Sequence, residues 1–182
     1  MESSETETSE ILKHFRKGYT THNALLLKVL DASEGDVLEL GGGVFSTPLL
    51  HWYCKNKGRN LITYDDHIDY YNFEKQFQSR HHRIRLVKSW DEVDNKKHRG
   101  LVFVDHGGKA TRGDWKGIRR GIDVIRFKDS ADYIVMHDSE EKGNEAYGYD
   151  KVWPYFKYRF DWKECSPETS VVSNFKDLSW LI

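Results

Sequence analysis

The chain has 182 residues, 38% hydrophobic and 31% charged, with a formal net charge of −1 and two cysteines. That length and apolar content suffice for one domain with a real core, while the near-neutral charge excludes a bulk electrostatic pull toward nucleic acid or an anionic membrane. Two cysteines exclude a disulfide framework, and no run approaches the ~18 apolar residues of a membrane helix.

The opening "MESSETETSE" is acidic and lacks the apolar centre of a signal peptide, so a cytoplasmic protein is expected. Residues 1–8 read as a disordered tail and 9–182 as a single domain. Helices are predicted over 9–17 and 20–32, the second with an apolar stripe at helical period and a stop at Gly35. From there strand and helix alternate. Strands are expected at 36–40, 60–66, 82–88, 100–106 and 131–138. Helices are expected at 47–57, where Pro48 suits the first turn, and at 69–79 and 113–127, with a helical turn at 90–95. A helix broken by Pro154 covers 149–156, and strands at 158–165 and 169–175 close the chain as a hairpin. The basic runs "RHHRIR" (80–85) and "IRR" (118–120) read as solvated faces. The pattern predicts an α/β, doubly wound, mostly parallel sheet with an antiparallel C-terminal hairpin and helices on both faces.

The stretch "DVLELGGGVFST" (36–47) runs a buried strand into three glycines and then a helix start. In open α/β sheets ligands lie beyond the carboxyl ends of the strands, and the first strand usually borders that place. Glycines let a ligand approach the main chain. Gly41 and Gly43 fit a dinucleotide turn, but Ser46 stands where its third glycine belongs, and the Gly-Lys-Ser/Thr of a P-loop is absent. Glu39 ends the strand, where a carboxylate needs a partner near the site. Asp65, about 20 residues past the turn, lies where an acid takes ribose hydroxyls; Asp65 and Asp66 also read as a cap for the following helix.

"ELGGGVFST" resembles the first motif of class I S-adenosylmethionine-dependent methyltransferases, and "LITYDD" is similar to their second. The resemblance spans roughly residues 20–182 and implies a Rossmann-like sheet of seven strands in the order 3-2-1-4-5-7-6. It also implies that Glu39, Gly41, Gly42, Gly43 and Ser46 hold the methionine part of S-adenosyl-L-methionine. Asp65, with Asp66 beside it, would take the ribose. Ser89, Trp90 and Asp91 would lie against adenine, and Asp105 would be the site acid of the fourth strand. No Asn-Pro-Pro-Tyr-like motif follows that strand, so the N-methylation served by that motif is not supported.

Asp105-His106 and His137-Asp138 end neighbouring strands, so four titratable groups are expected to crowd one rim. Either histidine suits a general base for a hydroxyl acceptor. Alternatively Asp105 and Asp138 offer hard oxygen ligands to Mg²⁺, as in some O-methyltransferases of this fold. The loop "GGKATRGDW" (107–115) carries Lys109, Arg112 and Asp114, and the polar segment 140–150 is a candidate lid, with Tyr147 and Tyr149 candidates to stack on a substrate. The resulting expectation is methyl transfer to a small-molecule hydroxyl, with no nucleic-acid or membrane partner. The rivals are a non-catalytic Rossmann-like binding or scaffold protein and a NAD-dependent oxidoreductase, against which Ser46 argues. Acceptor identity and oligomeric state stay open.

Overall fold

The computed structural model describes residues 20–107 and 118–182. The tail at 1–8, the helix read at 9–17, the loop residues Lys109, Arg112 and Asp114, and the first residues of the helix read at 113–127 lie outside them. Five strands follow the predicted alternation: Val37–Leu40 (β1), Leu61–Asp65 (β2), His82–Leu86 (β3), Arg99–Val104 (β4) and Ala131–His137 (β5). Tyr158–Trp162 (β6) and Thr169–Ser173 (β7) complete the sheet as an antiparallel hairpin, with β7 also antiparallel to β5. The order is β3-β2-β1-β4-β5-β7-β6, in agreement with the order implied above.

The strands read as nearly continuous apolar runs because helices cover both faces. Alternate residues enter opposite cores. Leu38, Leu40, Val102, Val104, Ile134 and Met136 pack on one side. Val37, Leu101, Phe103, Tyr133 and Val135 pack on the other. The helix α1 (Asn23–Ala32) lays Leu25, Leu26, Val29 and Leu30 into the second core, one stripe at helical spacing. The next helix, α2 (Ser46–Lys57), adds Leu50 and Cys54 to it. It ends at Gly58, whose φ of +67° allows its amide to reach the Cys54 and Lys55 carbonyls. Among the described residues the other α-helices are α3 (Ile68–Glu74), α4 (Ile118–Arg126) and α5 (Glu141–Tyr147). Among the described residues no helix is long and apolar enough to cross a membrane.

The segment 140–150 is helical, not an open lid. Gly143 in α5 lies so close to the Asp138 carbonyl that any side chain there would overlap it. Tyr149 is fully buried in the first core and its hydroxyl donates to the His137 carbonyl at 3.2 Å, so it does not face a substrate.

From β1 the chain steps outward to β2 and β3, then returns to place β4 on the other side of β1. Strand order therefore reverses between β1 and β4, the place where open α/β sheets bind ligands. The Asp105 amide donates to the Leu40 carbonyl at 2.8 Å, which ties the two strand ends together.

Candidate functional site

The glycine turn sits at this reversal. Gly41 has φ +79°, and a Cβ there would overlap the His106 backbone. A Cβ on Gly42 would strike the Glu74 carboxyl and lie 2.7 Å from Thr47 Oγ1, whereas one on Gly43 would meet nothing within 4 Å. The turn is thus closed on the protein side at its first two positions and open at the third. The Gly42 amide donates to Asp65 Oδ2 at 3.2 Å and the Gly43 amide to Thr47 Oγ1 at 2.9 Å.

Glu39 lies fully buried beneath the turn, where its Oε2 accepts from Thr47 Oγ1 at 3.0 Å and from Thr63 Oγ1 at 2.6 Å. Burial pushes its carboxyl up to about 7, against the pull of the Thr63, Ser46 and Thr47 hydroxyls. Asp65, at the end of β2, is buried and raised to about 6 by that burial, although the His67 and Gly42 amides oppose the shift. Glu74, the last residue of α3, is also fully buried; burial raises it to about 9, and the charges of Glu39 and Asp65 add to this. Among the described residues no lysine or arginine is a main influence on these three acids, and the His67 ring only modestly opposes the shift at Asp65. The described part of the corner around the turn is therefore acidic and desolvated. Sequence reading singled out Glu39, Asp65 and Ser46 here but not Thr47, Thr63 or Glu74. The Ser/Thr ending of the glycine motif was the available signal for Thr47; a lone glutamate inside "YNFEKQF" carries none.

These shifts fix a pH dependence. Each of the three folded-state values lies above the unfolded carboxylate range, so the folded chain holds more protons than the unfolded one. That contribution to stability is complete below the unfolded carboxylate values. It is lost as pH rises through about 6 at Asp65, about 7 at Glu39 and about 9 at Glu74. Stability should fall by roughly 1 kcal/mol per pH unit on the alkaline side of neutrality. Glu74→Gln, which stays neutral, should flatten the fall. Urea unfolding of both chains from pH 6 to pH 9 checks this, and parallel profiles would refute it.

Behind Glu39 a hydrogen-bonded chain runs from Thr63 Oγ1 to His82 Nε2 at 2.8 Å and from His82 Nδ1 to His51 Nδ1 at 3.2 Å. Both histidines are buried, and burial first, then neighbouring charge, lowers both. His82 belongs to the run "RHHRIR", which is therefore not wholly a solvated face.

The four strand-end groups do not share one environment. His106 is 1% exposed, stacks on Trp90 with ring centroids 4.2 Å apart, and pairs with Asp123 at 3.2 Å. Asp105 and His137 face each other, Oδ1 to Nδ1, at 3.2 Å. Asp138, with φ +57°, turns back toward them. Arg120 of α4 fills the space between: its guanidinium lies 3.2 Å from Asp105 Oδ1 and 2.9 Å from Asp138 Oδ2, and it also donates to the carbonyls of Asp105, His106 and His137. The Tyr147 ring covers it, with the guanidinium carbon 3.9 Å from the ring centre. The run "IRR" thus divides. Arg120 is 4% exposed and central, while Arg119 reaches Asp91 and Asp123. Burial raises Asp105, but His137 and Arg120 outweigh it and hold the carboxyl at about 2. Burial likewise works against a charged His137, and the Asp105 and Asp138 carboxylates overcome it, so this ring stays above its ordinary value. The two oxygens offered above to Mg²⁺ are bridged by a guanidinium.

A separate cavity of about 690 Å³ opens beyond the ends of β2 and β3, lined by Asp66, His67, Ile68, the segment Leu86–Asp91 and Arg119. It has the size of a small-ligand site. Trp90 forms part of its wall but is 4% exposed, and its ring already stacks on His106. Ser89 caps the short turn Trp90–Glu92 in a capping box with Glu92.

No family model matches this chain, and no curated protein matches its sequence. Solved structures do match in shape. A Klebsiella pneumoniae protein provisionally named an O-methyltransferase shares 10% identity with a TM-score of 0.61, over 93% of this chain and 90% of that one. A Staphylococcus aureus protein provisionally named a caffeoyl-CoA O-methyltransferase shares 11% identity at 0.60, over 92% and 88%. The N-methyltransferase NodS of Bradyrhizobium japonicum, in complex with S-adenosyl-L-homocysteine, shares 10% identity at 0.56, over 83% of each chain. The chain has the class I methyltransferase fold. The antiparallel β7 inserted between β5 and β6 separates this sheet from the 3-2-1-4-5-6 order of the Rossmann dinucleotide fold.

Proposed function

We propose that this chain is an S-adenosylmethionine-dependent methyltransferase acting on a small-molecule acceptor, at a hydroxyl oxygen. One observation carries the reading: the glycine turn at the sheet's reversal point is ringed by Glu39, Asp65 and Glu74, and among the described residues no lysine or arginine is a main influence on them. Such a corner complements a ligand bearing ammonium and sulfonium charges. It repels the pyrophosphate of a nicotinamide dinucleotide, which prefers free amides and positive charge.

The residues present fit that cofactor. Gly43 leaves room for close approach to the main chain, Asp65 at the end of β2 would take the ribose diol, and the 690 Å³ cavity beside Asp66 and Trp90 has space for a base. Glu39 and Glu74 would face the ammonium, with Thr47 and Thr63 holding Glu39 in place. When bound, the cofactor supplies a methyl group to the acceptor oxygen, the C–S electron pair returning to sulfur and the hydroxyl proton being left for the protein. His137, at the end of β5, would in its neutral form receive that proton, with Asp105 beside it to stabilise the resulting charge and orient the ring. His106, committed to Asp123 and Trp90, positions the wall of the cavity. The nearly neutral charge of the chain favours a small acceptor over a polyanion.

Thermal unfolding with S-adenosylhomocysteine and with NAD tests the proposal. Ligand at about 100 times its dissociation constant stabilises by about 2.7 kcal/mol. A shift with the homocysteine compound alone is expected, and a shift with NAD alone would overturn the reading. Methyl transfer is then assayed over pools of hydroxyl and amine acceptors. Binding without turnover in every pool would leave a binding protein in place of an enzyme.

A further inference from the structure

We propose that His22, Asp105 and His137 bind one divalent transition-metal ion of the Zn²⁺ type. They come from three separate parts of the chain: the residue before α1, the end of β4 and the end of β5. One ligand atom from each lies within 4.8 Å of the other two. Both histidines are 2% exposed.

Two features of this cluster call for a cation. The first is tautomeric. Thr21 Oγ1 donates its only hydrogen to the Pro167 carbonyl at 2.8 Å, so at 3.0 Å from His137 Nε2 it accepts, and Nε2 carries the ring hydrogen. In the neutral ring Nδ1 then presents a lone pair to a carboxylate oxygen of Asp105 at 3.2 Å. Two acceptors at that separation need a proton or a metal ion between or beside them. The second is His22. Its ring lies 4.6 Å from that of His137, centroid to centroid, and neither of its nitrogens has a hydrogen-bond partner. A buried imidazole with both nitrogens idle is an uncommon state that asks for an explanation. A proton shared by Asp105 and His137 leaves those nitrogens idle, whereas an ion bound by all three residues engages one of them.

The donor set names the kind of ion. Two imidazoles and one carboxylate suit Zn²⁺ and its first-row neighbours, whereas Mg²⁺ prefers an all-oxygen shell. Arg120 approaches Asp105 through Oδ1, the oxygen that also faces His137, and it pairs with Asp138 as well. The Thr21 hydroxyl and the Pro167 carbonyl form the supporting shell that fixes the His137 ring. Three protein ligands leave open positions on the ion.

The full-length chain is stripped with chelator, incubated with Zn²⁺ and desalted, and its metal is counted by mass spectrometry alongside the melting temperature. About one Zn²⁺ per chain and a raised melting temperature are expected. His22→Ala should bind Zn²⁺ at least about 100-fold more weakly. His22→Cys keeps a donor, so it should retain the ion, and with Co²⁺ it should show a thiolate-to-metal absorption band absent from the unsubstituted chain. Failure of the unsubstituted chain to retain Zn²⁺, or undiminished retention in His22→Ala, would overturn the site. Should His22→Ala not fold, a missing thiolate band in folded His22→Cys would do the same. Binding of S-adenosylhomocysteine is measured on the same samples. Its loss with Zn²⁺ retained counts against the methyltransferase reading alone, and its retention without Zn²⁺ counts against the metal site alone.

Discussion

Arg120→Met should destabilise the chain by about 3–5 kcal/mol, the range expected when one partner of a buried charge network is removed. Arg120 is 4% exposed and is the guanidinium that bridges Asp105 and Asp138. Methionine preserves much of the packing under the Tyr147 ring, so the loss reports charge more than volume. Three backbone carbonyls at the ends of β4 and β5 also lose their donor. Urea unfolding at neutral pH measures the cost, and a double-mutant cycle with Asp138→Asn apportions it. Arg120→Met should be less damaging in the Asp138→Asn background, because one of the stranded carboxylates is already gone. A cost below about 1 kcal/mol would mean that water, and not Arg120, balances these acids.

The arrangement around Arg120 also marks where sequence stops being informative. The strands were legible because buried strands leave apolar runs, and the glycine turn was legible because three glycines after such a run have few other uses. Glu39 could be read as buried near a partner, since a carboxylate inside a core strand has nowhere else to go. By contrast, "IRRGID" offers two adjacent arginines, and only the rotation of α4 decides that Arg120 enters the molecule while Arg119 stays near its rim. Side-chain alternation along a strand sends neighbours to opposite faces. Asp105 and His106 obey it, which is why the expected cluster of four loses His106 to Trp90 and Asp123. His137 and Asp138 escape it because the positive φ of Asp138 turns the carboxylate back toward Arg120. That departure from the regular strand leaves no trace in composition. Glu74 and His22 were hidden for a related reason. Each stands on a helix or at its edge with no flanking pattern, and each reaches the site only through the packing of that helix on the sheet. The helix α5 is not legible in the sequence because its residues are polar, Gly143 lies inside it and Gly148 ends it, although Gly143 is there to let it lie against Asp138.

The glycine turn supplies a pair of substitutions that separates folding from binding. Gly41→Ala forces an L-residue to φ +79° and drives its Cβ into the His106 backbone, whose neighbour Asp105 is tied to β1 through the Leu40 carbonyl. The left-handed conformation alone costs about 1–2 kcal/mol, and overlap with backbone should bring the total above about 3 kcal/mol. Gly43→Ala adds the same methyl group into open space at a position without positive φ. There the substitution should leave stability unchanged or raise it by about 0.4–1 kcal/mol, because the unfolded chain loses freedom. Yet the space it fills is, among the three glycines, the one that no described residue occupies. If a cofactor lies against that turn, Gly43→Ala should weaken S-adenosylhomocysteine at least about tenfold, roughly 1.4 kcal/mol, while the melting temperature of the free protein holds. Thermal unfolding of both variants, with titration calorimetry on Gly43→Ala, reads the two effects apart. Unchanged affinity in Gly43→Ala would mean that the turn only bends the backbone, and the acidic corner around it would need another ligand.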